Sequence, residues 1–240
     1  MPTHVRCLVE TDESSGALRL TGVLDTTATG TVRDALLARL CERPGPVVVD
    51  LSGVRITDRA ARRTFAEVRR EVADWPAADL LVVDPTGRTA GDELPVWPTL
   101  DEATAALAVL PTATAATTEL PPDVGAARQA RALVLDGCAR WGVDELAEAG
   151  CIAVTEMVNN VVAHAGTPMT VRLAPRGDTL HIGVRDHSPR QPTYAGLAPV
   201  DTAGGRGLLL IDTVARRWGS TPLRDGKLVW AVLHTEDERP

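Results

Sequence analysis

The chain has 240 residues, 44% of them apolar, and a formal net charge of −7. That length holds one large domain or two of ordinary size, each with a real core, while the acidic balance argues against a nucleic-acid binder, which needs a basic face. No run approaches the roughly eighteen apolar residues of a membrane span, and MPTHVRCLVE lacks the basic-then-apolar layout of a secretion signal.

Four cysteines, Cys7, Cys41, Cys138 and Cys151, are widely spaced and each sits in an apolar run. They form neither a metal pattern nor a disulfide framework, so the expectation is reduced core thiols in a cytoplasmic protein. Lys227 is the one lysine in a chain otherwise charged by arginine.

In chain order, Val5–Glu10 and Ala17–Thr21 are expected as strands around the turn Ser14–Ser15–Gly16. Thr26 or Thr27 is expected to cap a helix whose Val32, Leu36, Leu37 and Leu40 recur at helical spacing. Pro46–Leu51 is a continuous apolar run of the kind a strand buried on both faces shows. After the loop SGVRITD comes a second helix, Arg59–Ala73, with Phe65 and Val68 as core candidates. Leu80–Asp84 is a further buried strand, and Asp101–Leu110 a helix with acidic residues at its positive end. Strands alternating with helices imply an α/β layer over residues 1–112. The Thr-, Ala- and Pro-rich stretch 113–124 has no visible period and is expected to be a linker to a second domain at 125–236.

The second half opens with a helix, Gly125–Trp141, in which Ala132, Leu133, Leu135 and Cys138 are available for packing. Gly142 ends it, and Asp144 is expected to cap the next. In that next helix the stretch Cys151–His164, CIAVTEMVNNVVAH, is apolar nearly all round except for Glu156, Asn160 and His164 at successive i+4 steps, flanked by Thr155 and Asn159. Residues four apart share a helix face. A solvent-facing stripe is the plain alternative. Against it, the stripe has no Lys, Arg or Gln, and its two adjacent Asn are poor helix formers. A polar cleft lined by a carboxylate for proton transfer and an amide for a hard metal ion accounts for it better. Strands at Met169–Ala174 and Thr179–Arg185 follow, then a long Pro-rich loop, Asp186–Thr202, of the length that is functional or disordered inside a compact domain. Gly204–Gly207 leads into an apolar helix, Leu208–Val214, and a hairpin, Arg217–Leu223 with Lys227–Leu233, closes the fold. A glycine cluster at a helix start lets backbone amides approach an anion, though GGRG alone is equally well a turn. Asp186, at a strand end, is placed to accept a hydrogen bond from an amine, or to serve only as a turn residue.

The order of these features resembles the GHKL (Bergerat-type) ATP-binding fold, and within it the anti-sigma-factor serine kinases. The first box of that family, Glu-x-x-x-Asn-x-x-x-His, is matched in full by Glu156, Asn160 and His164. The resemblance covers about Gly125–Leu233 and implies an α/β sandwich. It implies that Glu156 is the general base, that Asn160 holds Mg²⁺ and that Asp186 reads the adenine amino group. It also implies that Gly205, Arg206 and Gly207 support the phosphates and that Asp186–Thr202 is the mobile lid. The implied nucleotide set is Asn159, Asn160, His164, Asp186, Gly205, Arg206, Gly207 and Leu208. The closing segment looks like the C-terminal end of actinomycete-type members. Two departures are His187-Ser188-Pro189, where relatives are Gly-rich, and Lys227–Leu228, where relatives often place Thr.

The first half, about Val5–Leu110, resembles a STAS domain, the fold of the anti-sigma-factor antagonists, through Leu24–Asp25, VVVDLSGVRITD and the helix beginning near Arg59. Phosphorylatable members follow the last Asp of that loop with Ser; here Asp58 is followed by Arg59. Thr57 and Thr64 are out of position, so this half is not expected to be a substrate of its own kinase half. The expected whole is a two-domain α/β protein with ATP and Mg²⁺ as cofactors. Its expected function is that of a partner-switching kinase that phosphorylates a serine on a separate STAS antagonist and controls a sigma factor. The other reading is an inactive ATP-binding or partner-sequestering module in the same pathway. The family often dimerises through its ATPase domain, so a homodimer is a further expected partner; nucleic acid and membrane are not. A two-component histidine kinase would need a phosphoacceptor His upstream of the ATPase half, and none lies between His4 and His164.

Overall fold

The structure is a computed structural model that describes residues 7–89, 94–109, 115–191 and 206–235. It divides into two units, one of residues 1–73 and 78–112, the other of 74–77 and 113–240.

The first unit is built on a five-stranded sheet in the order β1-β2-β3-β4-β5. Its strands are β1 (Leu8–Thr11), β2 (Leu18–Leu24), β3 (Val47–Ile56), β4 (Leu80–Val83) and β5 (Val96–Trp97). β1 pairs antiparallel with β2, and the remaining pairs are parallel. Helices α1 (Thr29–Glu42), α2 (Arg59–Glu71) and α3 (Leu100–Val109) complete it. The apolar run in β3 has the predicted cause. Val48, Leu81 and Val83 pack with Ala103, Leu100 and Leu107 of α3, while Val47, Val49, Leu80 and Val82, alternating with them, are also buried. In α1, Val32, Leu36, Leu37 and Leu40 are wholly buried, each contributing roughly 1.5–3 kcal/mol over an exposed position.

Two local expectations change. Neither Thr26 nor Thr27 caps α1; Ala28 precedes the helix, and Asp25 Oδ1 accepts from the amides of Thr27 (3.0 Å) and Ala28 (3.2 Å). These bonds form an Asx turn ahead of the helix, which itself carries no side-chain cap. The segment SGVRI, expected as loop, continues β3 because β2 pairs alongside it as far as Leu24↔Ile56.

The second unit is an antiparallel sheet, order β6-β7-β8-β10-β9, layered with helices. Its strands are β6 (Ala116–Leu120), β7 (Met169–Arg176), β8 (Thr179–Asp186), β9 (Arg217–Leu223) and β10 (Gly226–His234). Its helices are α4 (Ala126–Trp141), α5 (Ala147–Asn160, entered through a 3₁₀ turn at Asp144–Leu146) and α6 (Arg206–Val214). The stretch expected as a linker therefore contains a strand. Ala116 and Leu120 are buried and join the second core, and β6 pairs with β7. Asp144 begins the 3₁₀ turn without forming a side-chain cap to α5.

The packing phase of α4 also departs from expectation. Ala126, Ala130, Val134, Gly137 and Cys138 are buried, whereas Leu135 is 52% exposed. Small residues allow a close approach of the two helices: a Cβ added at Gly150 of α5 would lie 2.8 Å from Val134 Cγ1. The stretch Asp144–Ala165 is long and apolar enough by composition to cross a bilayer. Here its Ala153, Val154, Met157, Val158 and Val161 are instead core residues packed with Val171, Ile182 and Val229 of the sheet. The polar stripe thus belongs to a helix that is otherwise committed to the core.

Candidate functional site

Glu156 and Asn160 sit one turn apart on α5, both half-buried, as the i+4 spacing requires. Thr155 anchors the same region to α4 by accepting from Arg131 Nη1 at 3.3 Å. Gly207, in the first turn of α6, is pressed against this pair. A Cβ built there would lie 2.6 Å from Glu156 Oε2 and 3.7 Å from Asn160 Oδ1. Any larger residue at this position would push the Glu156 carboxylate away from the α6 backbone. Leu208 and Ile211 are buried in the second core and hold α6 in place. The structure therefore brings together a carboxylate, a carboxamide and the amide-rich start of a helix, where anions are favoured.

The rest of the stripe behaves differently. After Asn160 the helix widens into a π-helical turn, Val161–Ala165, closed by Gly166 at φ 64°. His164 lies within this turn and is exposed, as is Asn159. Gly204, Gly205 and the expected lid residues 192–202 lie outside the described residues; Arg206 opens α6.

Asp186 forms a second cluster. Along β8, Leu180, Ile182 and Val184 face the helices as core residues, and Asp186, two further on, continues that face. It is fully buried. On β10, Val229, Ala231 and Leu233 form the matching face, which places Lys227 on it, directly opposite Asp186. Lys227 Nζ lies 2.7 Å from Asp186 Oδ2, and Asp186 Oδ1 accepts from the Ser188 amide at 2.8 Å. Among the described residues no aligned hydrogen bond reaches Oδ2. At 2.7 Å the contact is an ion pair all the same, one that leaves an accepting direction open on a buried oxygen. A close backbone approach supports the strand end: a side chain at Gly226 would collide with the Asp186 carbonyl oxygen. The pairing Met169↔Asp186 and the bond from the His187 amide to Thr167 Oγ1 (3.1 Å) fix which end of the sheet this is. It is the end at which α5 finishes, where Asn160 sits.

The ion pair was not anticipated from the sequence, although Lys227 had stood out as a departure. The available signal was its place two residues before Val229 in an alternating strand.

The site suits a nucleotide chemically. The open Oδ2 of Asp186 is an acceptor for an exocyclic amine, and the bare Gly207 Cα leaves backbone amides available beside Glu156 and Asn160. Among the described residues no group of three or more His, Cys, Asp or Glu side chains is placed to hold a metal.

In the first unit, Asp58 caps α2 through Oδ1 to the Ala61 amide (2.7 Å), and its Oδ2 accepts from the Thr26 amide (3.2 Å). Thr57 Oγ1 donates to the Leu24 carbonyl at 3.3 Å, and Thr64 is buried. Thr57 is itself exposed, and so is Arg59, the residue that follows Asp58.

Comparison with known proteins agrees with this division. The model of the histidine kinase-like ATPase domain matches residues 120–232, and that of the Mlab, STAS domain matches residues 7–77. An uncharacterised protein of Streptomyces coelicolor is 43% identical over 81 residues, covering 32% of this chain and 76% of its own length. Among solved structures, the RsbU and RsbW domains of a Mycobacterium tuberculosis protein align with TM-score 0.39 and 18% identity over 50% of this chain; this chain spans 31% of that one. An anti-sigma factor antagonist from Mycobacterium paratuberculosis aligns with TM-score 0.35 and 22% identity, over 45% of this chain and 97% of its own. Through its C-terminal unit the chain belongs to the histidine kinase-like ATPase domains, and through its N-terminal unit to the STAS domains.

Proposed function

We propose that the chain is an ATP-dependent serine kinase and anti-sigma factor of the partner-switching type. In this reading its C-terminal unit, from about residue 125, phosphorylates a serine on a separate STAS antagonist in the cytoplasm. Its N-terminal STAS unit is a regulator without an acceptor hydroxyl. The observation that carries the reading is the seating of Gly207 against Glu156 Oε2 and Asn160 Oδ1. That contact brings a carboxylate, a carboxamide and a helix N-terminus to one point, which supports the reading.

Bound Mg²⁺–ATP supplies the phosphoryl group and the charge neutralisation that phosphoryl transfer depends on. Glu156 takes the proton from the incoming serine hydroxyl. Asn160 Oδ1 is a neutral oxygen ligand for Mg²⁺. The start of α6, Arg206 and Gly207, would meet the phosphates through its amides, and Gly205 belongs to the same proposed set by its place in the sequence motif alone. Asp186 accepts from the base, and Asn159, His164 and Leu208 complete the nucleotide's surroundings. A sigma factor and a second copy of the chain are the remaining proposed partners.

The exposed Arg59 after Asp58, the hydroxyl of Thr57 tied to the Leu24 carbonyl and the buried Thr64 support a separate antagonist as substrate. The Lys227–Asp186 pair favours one second reading, a module that sequesters partners without catalysis. Phosphotransfer from radiolabelled ATP to a serine-bearing STAS protein separates the two. Glu156→Gln should keep ATP binding and lose at least about a hundredfold in transfer; transfer at the wild-type rate would overturn the assignment.

A further inference from the structure

The one lysine of the chain stands against Asp186, a buried carboxylate of the proposed nucleotide site. A site that reads a hydrogen-bonding group on its ligand is selective because an analogue without that group strands the site's own buried partner. Asp186 is such a partner, wholly buried at the end of β8. With a small neutral residue on β10 opposite it, a base without an amino group would leave a buried charge uncompensated.

Here one carboxylate oxygen is hydrogen-bonded and the other faces a counter-charge, both from within the chain. The Ser188 amide donates to Oδ1 at 2.8 Å, and the Lys227 ammonium stands 2.7 Å from Oδ2. Lys227 is itself held: its side chain is 9% exposed, and it donates to the Ser188 carbonyl at 3.5 Å. The neighbouring Arg185 is committed to Asp225 at 2.7 Å. The direction left open on Oδ2 admits a donor without requiring one.

We propose that Lys227 is a specificity-determining residue that relaxes base selection, so that the site takes purine nucleoside triphosphates with or without a 6-amino group. The inference rests on the reading of this unit as an ATP site and adds to it which purines are accepted.

Calorimetric titration of the full chain with Mg²⁺ and either ATP or purine riboside 5′-triphosphate tests it, because the two ligands differ only in the amino group. The wild type should bind both within about threefold of each other. Lys227→Thr should favour ATP by at least about tenfold, and Lys227→Arg, which keeps the cation, should stay near the wild-type ratio. A tenfold or greater preference for ATP in the wild type would overturn the proposal, as would an unchanged ratio in a folded Lys227→Thr protein. If that variant fails to fold by circular dichroism, the wild-type ratio decides. Binding of neither triphosphate by the wild type would overturn the ATP-site reading and the inference with it, whereas binding of ATP alone sinks only the inference.

Discussion

Replacing Gly207 with alanine puts a methyl group 2.6 Å from Glu156 Oε2, closer than the 3.0 Å that real Cβ contacts respect. To reach ordinary contact at 3.4 Å, the carboxylate must retreat by about 0.8 Å. It is the end of a flexible side chain, so it can yield without disturbing α5. Alanine is also about 1 kcal/mol better than glycine inside a helix, which offsets most of the remaining strain. The expected fold stability is therefore near wild type. Catalysis should respond differently, since a displacement approaching 1 Å at a reacting group costs on the order of a hundredfold, about 2.7 kcal/mol in the barrier. Phosphotransfer kinetics and a thermal melt on the same sample make the comparison. Wild-type transfer by Gly207→Ala would refute the placement of Glu156 at the reacting hydroxyl.

Other perturbations address the first unit. Burial alone would raise the pKa of Asp84, but hydrogen bonds from Thr86 and Thr89 prevail and hold it down at about 2, against an ordinary 3.8. A folded-state value below the unfolded one stabilises above pH 4 and is lost as pH falls through about 2. Asp84→Asn should thus cost up to about 2 kcal/mol in urea unfolding at pH 7, with the gap closing between pH 4 and pH 2; a gap independent of pH would contradict this. Asp58→Ala removes the α2 cap and the bond to the Thr26 amide and should destabilise the unit by about 1–2 kcal/mol, measured the same way.

Much of this architecture was legible in the residues, for reasons that differ by element. Pro46–Leu51 announces a two-faced strand because every residue is apolar, and α5 announces a site because its polar residues share one face. Three features were hidden. The strand β6 is five residues of Thr- and Ala-rich chain whose alternation, Ala116 and Leu120 inward, is too short to stand out from its composition. The exposed Leu135 misled because α4 packs through Ala126, Ala130 and Gly137, where small size rather than hydrophobicity makes the contact. The pairing of Lys227 with Asp186 depends on strand register across an intervening helix, which local pattern does not reveal. The π-helical turn is a fourth case of another kind: no local pattern marks the widening at Val161–Ala165, within which His164 falls.

The claim on which the account rests is that Glu156 and Asn160 face a magnesium-bound triphosphate. Calorimetry of ATP binding, with Mg²⁺ present and then chelated, on the wild type and on Asn160→Ala, tests this most directly. The wild type should bind ATP at least about tenfold more tightly with Mg²⁺, and Asn160→Ala should lose most of that difference while staying folded. Binding that ignores both the metal and the substitution would contradict the account.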